Sequence, residues 1–509
     1  MSRRLSAAIA VASSIWGAAL SLAAVPIYLS KMGIEAYGLI GFLITSQAVL
    51  QVLDLGLAPA INREVARSKT LGDLDSARTL LRTLSRLYWF MAAAIAVVFC
   101  AWSPLIASTW LSASRLSSSD ITQSLMLMGV LIATRWPIAV YQNTLIGGGR
   151  LGPASVLTAT MATLSVGASI AVVTLGAPRP AWLFAVQTAV SFLHVLLVRA
   201  LAWRSLDGPQ GAVVNFRSVR RLWSFGVGMG GVVLTGIVLT QLDKLLLSKM
   251  LPLSAFGEYM LAATVVGGLA VLVSPLFNTI YPEFSGLVAR GQTSTQINTY
   301  HRDTRMFATA FFTTVSALAI YAQDIVTLWT GNISTAIAVA PIIAILCIGT
   351  VINGIMYFPY SIQLAFGITW IPLLINSVLL VVLVPLMIVL TMNFGGLGGA
   401  IAWAGLELIY LVFGTYMTHR HVKIGSALAW LWRGIAGPFA ITTAVTLLIR
   451  PAILLAPTGS LLRVSLVASG VLFTILIGAL SMPDTRSRLL GRYFLRRPPP
   501  KIHEYPKHS

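Results

Sequence analysis

The sequence predicts an all-α polytopic membrane protein of about 14 transmembrane helices: two parallel six-helix lobes plus two extra C-terminal helices. Three observations lead there. Of 509 residues, 57% are hydrophobic and only 10% charged, more apolar surface than a soluble core could use. Fourteen apolar windows can be drawn along the chain. The cations fall in alternate segments between those windows, as the orientation rule for membrane helices requires.

The first two windows, 6–29 and 37–57, flank a short polar turn, Lys31-Met32-Gly33-Ile34-Glu35. The second is about twenty residues long, enough to cross a bilayer as a helix. It closes on Asp54-Leu55-Gly56 and drops into a basic segment at Arg63. Arg3-Arg4 ahead of the first window imitates a secretory signal. That window has a counterpart later in the chain, so it belongs to the fold. The third window, 87–111, is the weakest, because Ser103-Pro104 interrupts it. The fourth, 121–146, carries Arg135 near its middle, just before Trp136-Pro137, and the fifth and sixth lie at 152–175 and 181–199. After a hydrophilic stretch, windows follow at 223–248, 257–281, 306–330, 335–360, 370–391 and 396–418. The last two are 430–449 and 464–482. Cys100 and Cys347 both fall inside windows and read as small core residues. The basic tail after Pro483 has no core-forming composition.

If the N-terminus is cytoplasmic, the inner segments hold 27 of the 35 Lys and Arg residues. That asymmetry predicts both termini inside and an even helix count. The net charge of +20 would suggest nucleic acid in a soluble chain; here it is an orientation signal, and no nucleic-acid partner is expected. The chain also repeats itself. Leu29-Ser30-Lys31-Met32 recurs as Leu247-Ser248-Lys249-Met250, Ala36-Tyr37-Gly38 as Ala255-Phe256-Gly257, Glu64 as Glu283 and Gly149 as Gly367, at offsets of 218 or 219. A repeat of six helices keeps its orientation, so the two copies form parallel lobes. The expected division is 1–204 for the first lobe, 205–222 for a cytoplasmic linker and 223–420 for the second lobe. Residues 421–482 form helices thirteen and fourteen, and 483–509 a basic cytoplasmic tail.

Pro26, Tyr28, Gly33, Tyr37-Gly38, Asp54-Leu55-Gly56-Leu57 and Arg63-Glu64, in that order, resemble the first hairpin of bacterial polysaccharide flippases. These are the O-antigen and exopolysaccharide exporters of the multidrug/oligosaccharidyl-lipid/polysaccharide superfamily. The resemblance spans roughly residues 5 to 420. It implies movement of a polyprenyl-diphosphate-linked glycan from the cytoplasmic to the outer leaflet of the bacterial inner membrane. It also implies membrane lipid as a partner, with glycan polymerase and chain-length proteins as further ones. In that family the first, second, seventh and eighth helices line a central cleft.

Ionisable groups inside a membrane are the best pointers to function, since each costs about 2.5–3.5 kcal/mol at a helix centre. Arg135 is about 16 Å from either end of its window, too deep to snorkel easily, and guanidinium suits phosphate oxygens bidentately. It reads as a substrate anion site or, alternatively, as half of an ion pair within one lobe. Lys244 sits beside Asp243, on one polar stripe with Gln241 and Ser248. It reads as a second substrate cation, or as a snorkelling lysine paired with Asp243. Arg63 is placed at the inner mouth of the cleft. Asp243 and Glu407 are candidate coupling groups, Glu407 equally a neutral hydrogen-bonded acid. His194, alone in its helix, reads as packing. Asp54, Glu64 and Glu283 lie at inner helix ends and read as gate residues, the last two as repeat partners.

Several apparent motifs carry nothing. Gly226–Gly231 imitates a dinucleotide fingerprint without the strand that context demands, and Asp73-Leu74-Asp75 stands alone in a short loop. There is no P-loop, HExxH or Cys/His cluster, so neither a cofactor nor enzymatic chemistry is expected. Two rival readings are kept. A multidrug/cation antiporter of the same superfamily would prefer acidic groups in its cleft, and a lipid II flippase would share the diphosphate. A glycan polymerase or acyltransferase fits poorly, because a large outer catalytic loop is missing.

Overall fold

The structure is a computed structural model, described here for residues 3–54, 56–176, 178–208, 213–214, 235–457 and 460–481. Most of the expected linker, the first part of the seventh window and the tail from 483 lie outside those residues.

The described residues are almost all helical, and each of the fourteen windows falls on described helix, the seventh and last in part. By length and composition, eight of the described helices suffice to cross a membrane, nine if the bent pair Thr293–Ile320 and Ala322–Thr330 counts as one span. Two of the eight are far too long for one crossing. Helix α1 (Arg3–Leu50) has 48 residues and α14 (Trp370–Val422) has 53, about 70–80 Å against a hydrocarbon core of about 30 Å. Each is broken at one glycine, Gly33 with φ 82° and Gly395 with φ 56°, in the backbone region where only glycine sits without strain. At Gly395 the chain doubles back, since a Cβ on Gly398 would strike the carbonyl of Leu390. Both arms of α1 line one cavity, so they too lie side by side. The expected polar turn of five residues is a single-residue break.

A 3₁₀ turn (Gln51–Asp54) leads to α2 (Leu57–Leu71), then α3 (Leu74–Thr109), capped by the Asp73 carboxylate on Ser76 N. Helix α3 starts 13 residues before its apolar window, because hydropathy marks only the part a bilayer covers. Pro104 does not interrupt it; Ser103, buried, donates its hydroxyl to Cys100 O at 2.9 Å. Next come α4 (Ser118–Arg135), α5 (Ile138–Gly147), α6 (Leu151–Leu175) and α7 (Pro180–Arg204). Trp136-Pro137 separates α4 from α5, as a proline without an N–H should. Arg135 therefore ends a helix and does not sit inside one.

The second half comprises α8 (235–250), α9 (Leu253–Gly267), α10 (Ala270–Ala289), α11 (Thr293–Ile320), α12 (Ala322–Thr330), α13 (Ile333–Ala365) and α14. A short α15 (Ala427–Trp430) runs through a π turn into α16 (Gly437–Leu454), and α17 (Leu461–Ser481) closes the described chain. Arg463 pins α17 to α12 through Asp324 at 2.9 Å. The repeat has a backbone counterpart: Gly72 and Gly291 both have positive φ, as do Gly149 and Gly367.

Among the described residues, extended helix packing between the two halves of the chain is confined to α1 against α9 and α12. Additional bonds tie α3 and the segment after it to the second half. Trp110 Nε1 donates to Ser248 Oγ at 3.0 Å, Lys249 Nζ to Thr109 O, and Leu253 N to Ser112 O at 2.7 Å. All of these contacts lie toward the Gly33 end. Glu35 holds the same loop by accepting from the N–H groups of Ser114, Arg115 and Leu116 at 3.0–3.1 Å. At the opposite, basic end, α2, α3 and α5 pack within the first half and α10, α11 and α13 within the second.

The α1–α9 contact depends on glycine. A Cβ on Gly257 would strike Ile34 O and sit 3.2 Å from Gly38 N, one on Gly38 would lie 2.5 Å from Leu253 O, and one on Gly41 would strike Met260. Gly257→Leu is therefore expected to force α1 and α9 apart. A Ser112→Cys/Pro252→Cys pair, placed where those residues bridge, should crosslink oxidatively in the parent and lose that crosslink with Gly257→Leu. An undiminished crosslink would mean that the glycine contact does not join the halves.

A polar cavity in the first half

The break between α4 and α5 sets Arg135 free to turn its guanidinium inward. There it makes three hydrogen bonds, all to neutral groups. Nη1 donates to Gln47 Oε1 at 3.2 Å, Nη2 to Gln187 Oε1 at 3.1 Å and Nε to Ser191 Oγ at 3.3 Å. Among the described residues no carboxylate lies within salt-bridge distance of it. The three partners come from the second arm of α1 and from α7, so one cation ties α4 to both.

Arg135 lines a cavity of about 580 Å³ walled by both arms of α1, by α5, α6 and α7, and by Thr264 of α9. Its polar lining includes Gln47, Gln142, Gln187, Ser191, His194 and Tyr28, with no acidic residue among the described lining. A space this large with so many polar groups holds water or a polar ligand, not a void. His194 Nε2 is buried there without a hydrogen-bond partner among the described residues, and Gln142 Nε2 is bonded to Thr158 Oγ1 at 2.7 Å. Positive charge with neutral donors and acceptors is the chemistry of an anion site that also reads hydroxyl-rich groups.

Of the residues expected from sequence to bind substrate or to couple and gate transport, Arg135 alone belongs to the described lining. Lys244, on α8, is bonded to both oxygens of Asp243 at 3.1 Å and to Thr240 O at 2.9 Å. Asp243 is buried and also accepts from Tyr259 OH at 2.8 Å. Arg63 is exposed on α2, and Glu64 beside it faces Arg67 at 3.5 Å. Asp54 accepts from Tyr88 OH and from Ala58 N at 3.4 Å. Glu283 is exposed on α10. Glu407 is buried on α14, accepting from Asn353 Nδ2 at 2.9 Å, with its second oxygen unpartnered among the described residues. The structure does not gather these groups into one cluster.

Sequence reasoning missed Gln47, Gln187 and Ser191, and placed His194 in the packing. The signal was present. Gln187, Ser191 and His194 recur at i, i+4 and i+7, one polar stripe on a largely apolar helix.

Comparison with known proteins gives three results. A family model described as polysaccharide biosynthesis protein matches residues 6–288, more than half of the chain. No curated protein matches the sequence. Among solved structures, the chain resembles the lipid II flippase MurJ in an inward closed conformation, with a TM-score of 0.67 and 14% identity over 94% of this chain and 99% of that one. An inward-facing multidrug resistance MATE family transporter of the MOP superfamily gives 0.65 at 12% identity, over 80% and 96%. A MOP superfamily transporter from Pyrococcus furiosus gives 0.56 at 14%, over 84% and 95%. Likeness at these identities shows the shared fold.

If the cavity is wet, cysteines in it should react with a hydrophilic methanethiosulfonate. In a Cys100→Ser background, Gln187→Cys is expected to be modified within minutes and Glu407→Cys, in a buried site, at least tenfold more slowly. Equal inertness at both positions would show that water does not reach the cavity.

Proposed function

The chain belongs to the polysaccharide biosynthesis protein family, and on that premise we propose that it is a flippase for a polyprenyl-diphosphate-linked oligosaccharide. It works by alternating access in the bacterial inner membrane, both termini cytoplasmic, supplying O-antigen, capsule or exopolysaccharide assembly. The observation that carries this reading is Arg135, a full positive charge in a polar cavity, held only by neutral partners. A diphosphate can take up that charge without first displacing a carboxylate. The sugar hydroxyls, which hydrocarbon does not tolerate, meet glutamine, serine and histidine, while the prenyl tail stays in lipid.

The conformer with halves joined at the Gly33 end and separately packed at the basic end is one terminal state of the cycle, open toward the cytoplasm. The halves correspond to the two six-helix lobes of the repeat, and rocking them about their shared contact exchanges the open side. Arg63 at the basic end serves as a first contact for the anionic headgroup. Lys244 is neutralised by Asp243 in this state, so it takes part only if rocking separates that pair. With the cell interior negative, moving two negative charges outward gains about 4–5 kcal/mol per 100 mV, enough to bias the direction. A cation antiporter is disfavoured by the absence of acidic groups among the described lining. Lipid II shares the diphosphate and is distinguished from other glycans by experiment.

Complementation separates these readings. In a strain lacking its own O-antigen flippase, the parent is expected to restore surface glycan and Arg135→Ala to reduce it at least tenfold at matched expression. That is the loss of one or two charge-assisted hydrogen bonds of about 1.5–3 kcal/mol each. Arg135→Lys should recover only part of it, and Lys244→Ala should stay near the parent. Full function in Arg135→Ala would remove the anion site from the mechanism, and rescue only of a strain lacking its lipid II flippase would make lipid II the substrate.

A further inference from the structure

Toward the Gly33 end of the cavity, a hydrogen bond joins the two halves of the chain. Tyr37, on the second arm of α1, and Thr264, on α9, both line the cavity, with their hydroxyls 2.9 Å apart. Thr264 has one hydroxyl proton, directed at Met260 O at 2.8 Å, the usual back-bond of a helical threonine. At this contact, therefore, Tyr37 donates and Thr264 accepts. Gly38 and Gly41, which follow Tyr37 on the same arm, and Gly257 on α9 make the close contacts between the two helices. Tyr37 is 3% exposed, and among the described residues its side chain hydrogen-bonds to Thr264 alone. Ten residues along the same arm lies Gln47, which helps hold Arg135. That separation is about 15 Å along the helix axis. A ligand anchored by its charge at Arg135 thus reaches Tyr37 only if it carries a further polar group beyond that charge.

We propose that the Tyr37–Thr264 hydrogen bond is a clasp released by the sugar end of a diphosphate-linked glycan. The diphosphate docks on Arg135, and an oxygen of the first sugar takes the Tyr37 proton in place of Thr264. The inference rests on the flippase reading above. Its physical basis is that a ligand shifts an equilibrium between two arrangements only when it interacts differently with them. A diphosphate at Arg135 meets side chains of the first half alone, so its contacts are the same whether the halves are joined or parted. A sugar oxygen at Tyr37 competes directly with a bond that joins them. The carrier lipid without a glycan then binds but leaves the clasp shut, and unloaded carrier is not moved. One net hydrogen bond corresponds to up to about tenfold in the ratio of joined to parted molecules.

The test uses the full chain in lipid nanodiscs with Cys100→Ser and Met260→Cys. Met260 is buried against Gly41 at the contact between the halves, so a hydrophilic maleimide labels position 260 only when that contact opens. The probes are farnesyl diphosphate and farnesyl diphosphate carrying one N-acetylglucosamine. Binding is measured separately by tryptophan fluorescence, with Arg135→Ala as control. Both probes should bind in an Arg135-dependent way, and only the glycosylated one should speed labelling, several-fold to tenfold. Thr264→Ala should label fast without ligand. Tyr37→Phe should also label fast without ligand and gain nothing from the glycosylated probe. Equal acceleration by both probes, or a Tyr37→Phe response like the parent's, overturns the clasp while leaving the flippase reading standing. If neither probe binds the parent, the flippase reading itself falls and the clasp with it.

Discussion

One unneutralised charge sets the terms for the first half of this molecule. A guanidinium deep in an apolar bundle is expensive, about 2.5–3.5 kcal/mol even by insertion scales, and it persists only where polar groups and space are provided for it. Each local irregularity near Arg135 serves that end. The Trp136-Pro137 break lets the side chain leave the helix wall, Gln47 and Gln187 turn their amide oxygens to it, and Ser191 accepts from Nε–H. Hydrogen bonds to a charged donor are each stronger than neutral ones, so three of them offset much of the desolvation. The cavity is the geometric consequence, because side chains long enough to reach the cation from two helices keep those helices from closing over it.

Neutral partners also decide what the site can do. Had a carboxylate faced Arg135, an incoming anion would have to break a buried ion pair, at about 3–5 kcal/mol. Asp243 and Lys244 illustrate that alternative on α8, where the lysine is consumed by its neighbour and by Thr240 O. Two basic side chains thus serve two different ends, and the difference lies in the sign of what surrounds each. Adjacent positions on a helix do not face each other; only the flexible lysine stem lets this pair form. That is why the sequence alone left snorkelling, pairing and substrate contact open for Lys244.

The architecture was legible because its causes are local. Apolar windows, positive segments and helix breakers at Gly33, Pro137 and Gly395 leave marks in the chain itself, and the windows land on helices. Boundaries were less legible where a helix outruns the bilayer, as α3 does over residues 74–86. The site was legible only in its charged member. A glutamine or serine costs far less in an apolar helix than an arginine, so Gln187, Ser191 and Gln47 barely disturb the hydropathy. Nothing local says which way a transmembrane helix is turned. His194 was read as packing for that reason, and its place on the stripe with Gln187 acquires meaning only once α7 is seen to face Arg135.

Joining and parting of the halves require a contact that is specific yet weak. The α1–α9 interface meets that need through backbone approach, with Gly38 against Leu253 O and Gly257 against Ile34 O. Contacts of this kind gain from shape and bury few large side chains, and in lipid no hydrophobic driving force holds helices together. Each contributes little, so a few substitutions or one competing ligand group can shift the balance. The Gly33-end contacts are also short-range and cluster where Glu35 fixes the 112–116 loop. A seal made of many small terms around two rigid halves can open as a unit, whereas a buried aliphatic interface of the same area would hold the molecule in one state.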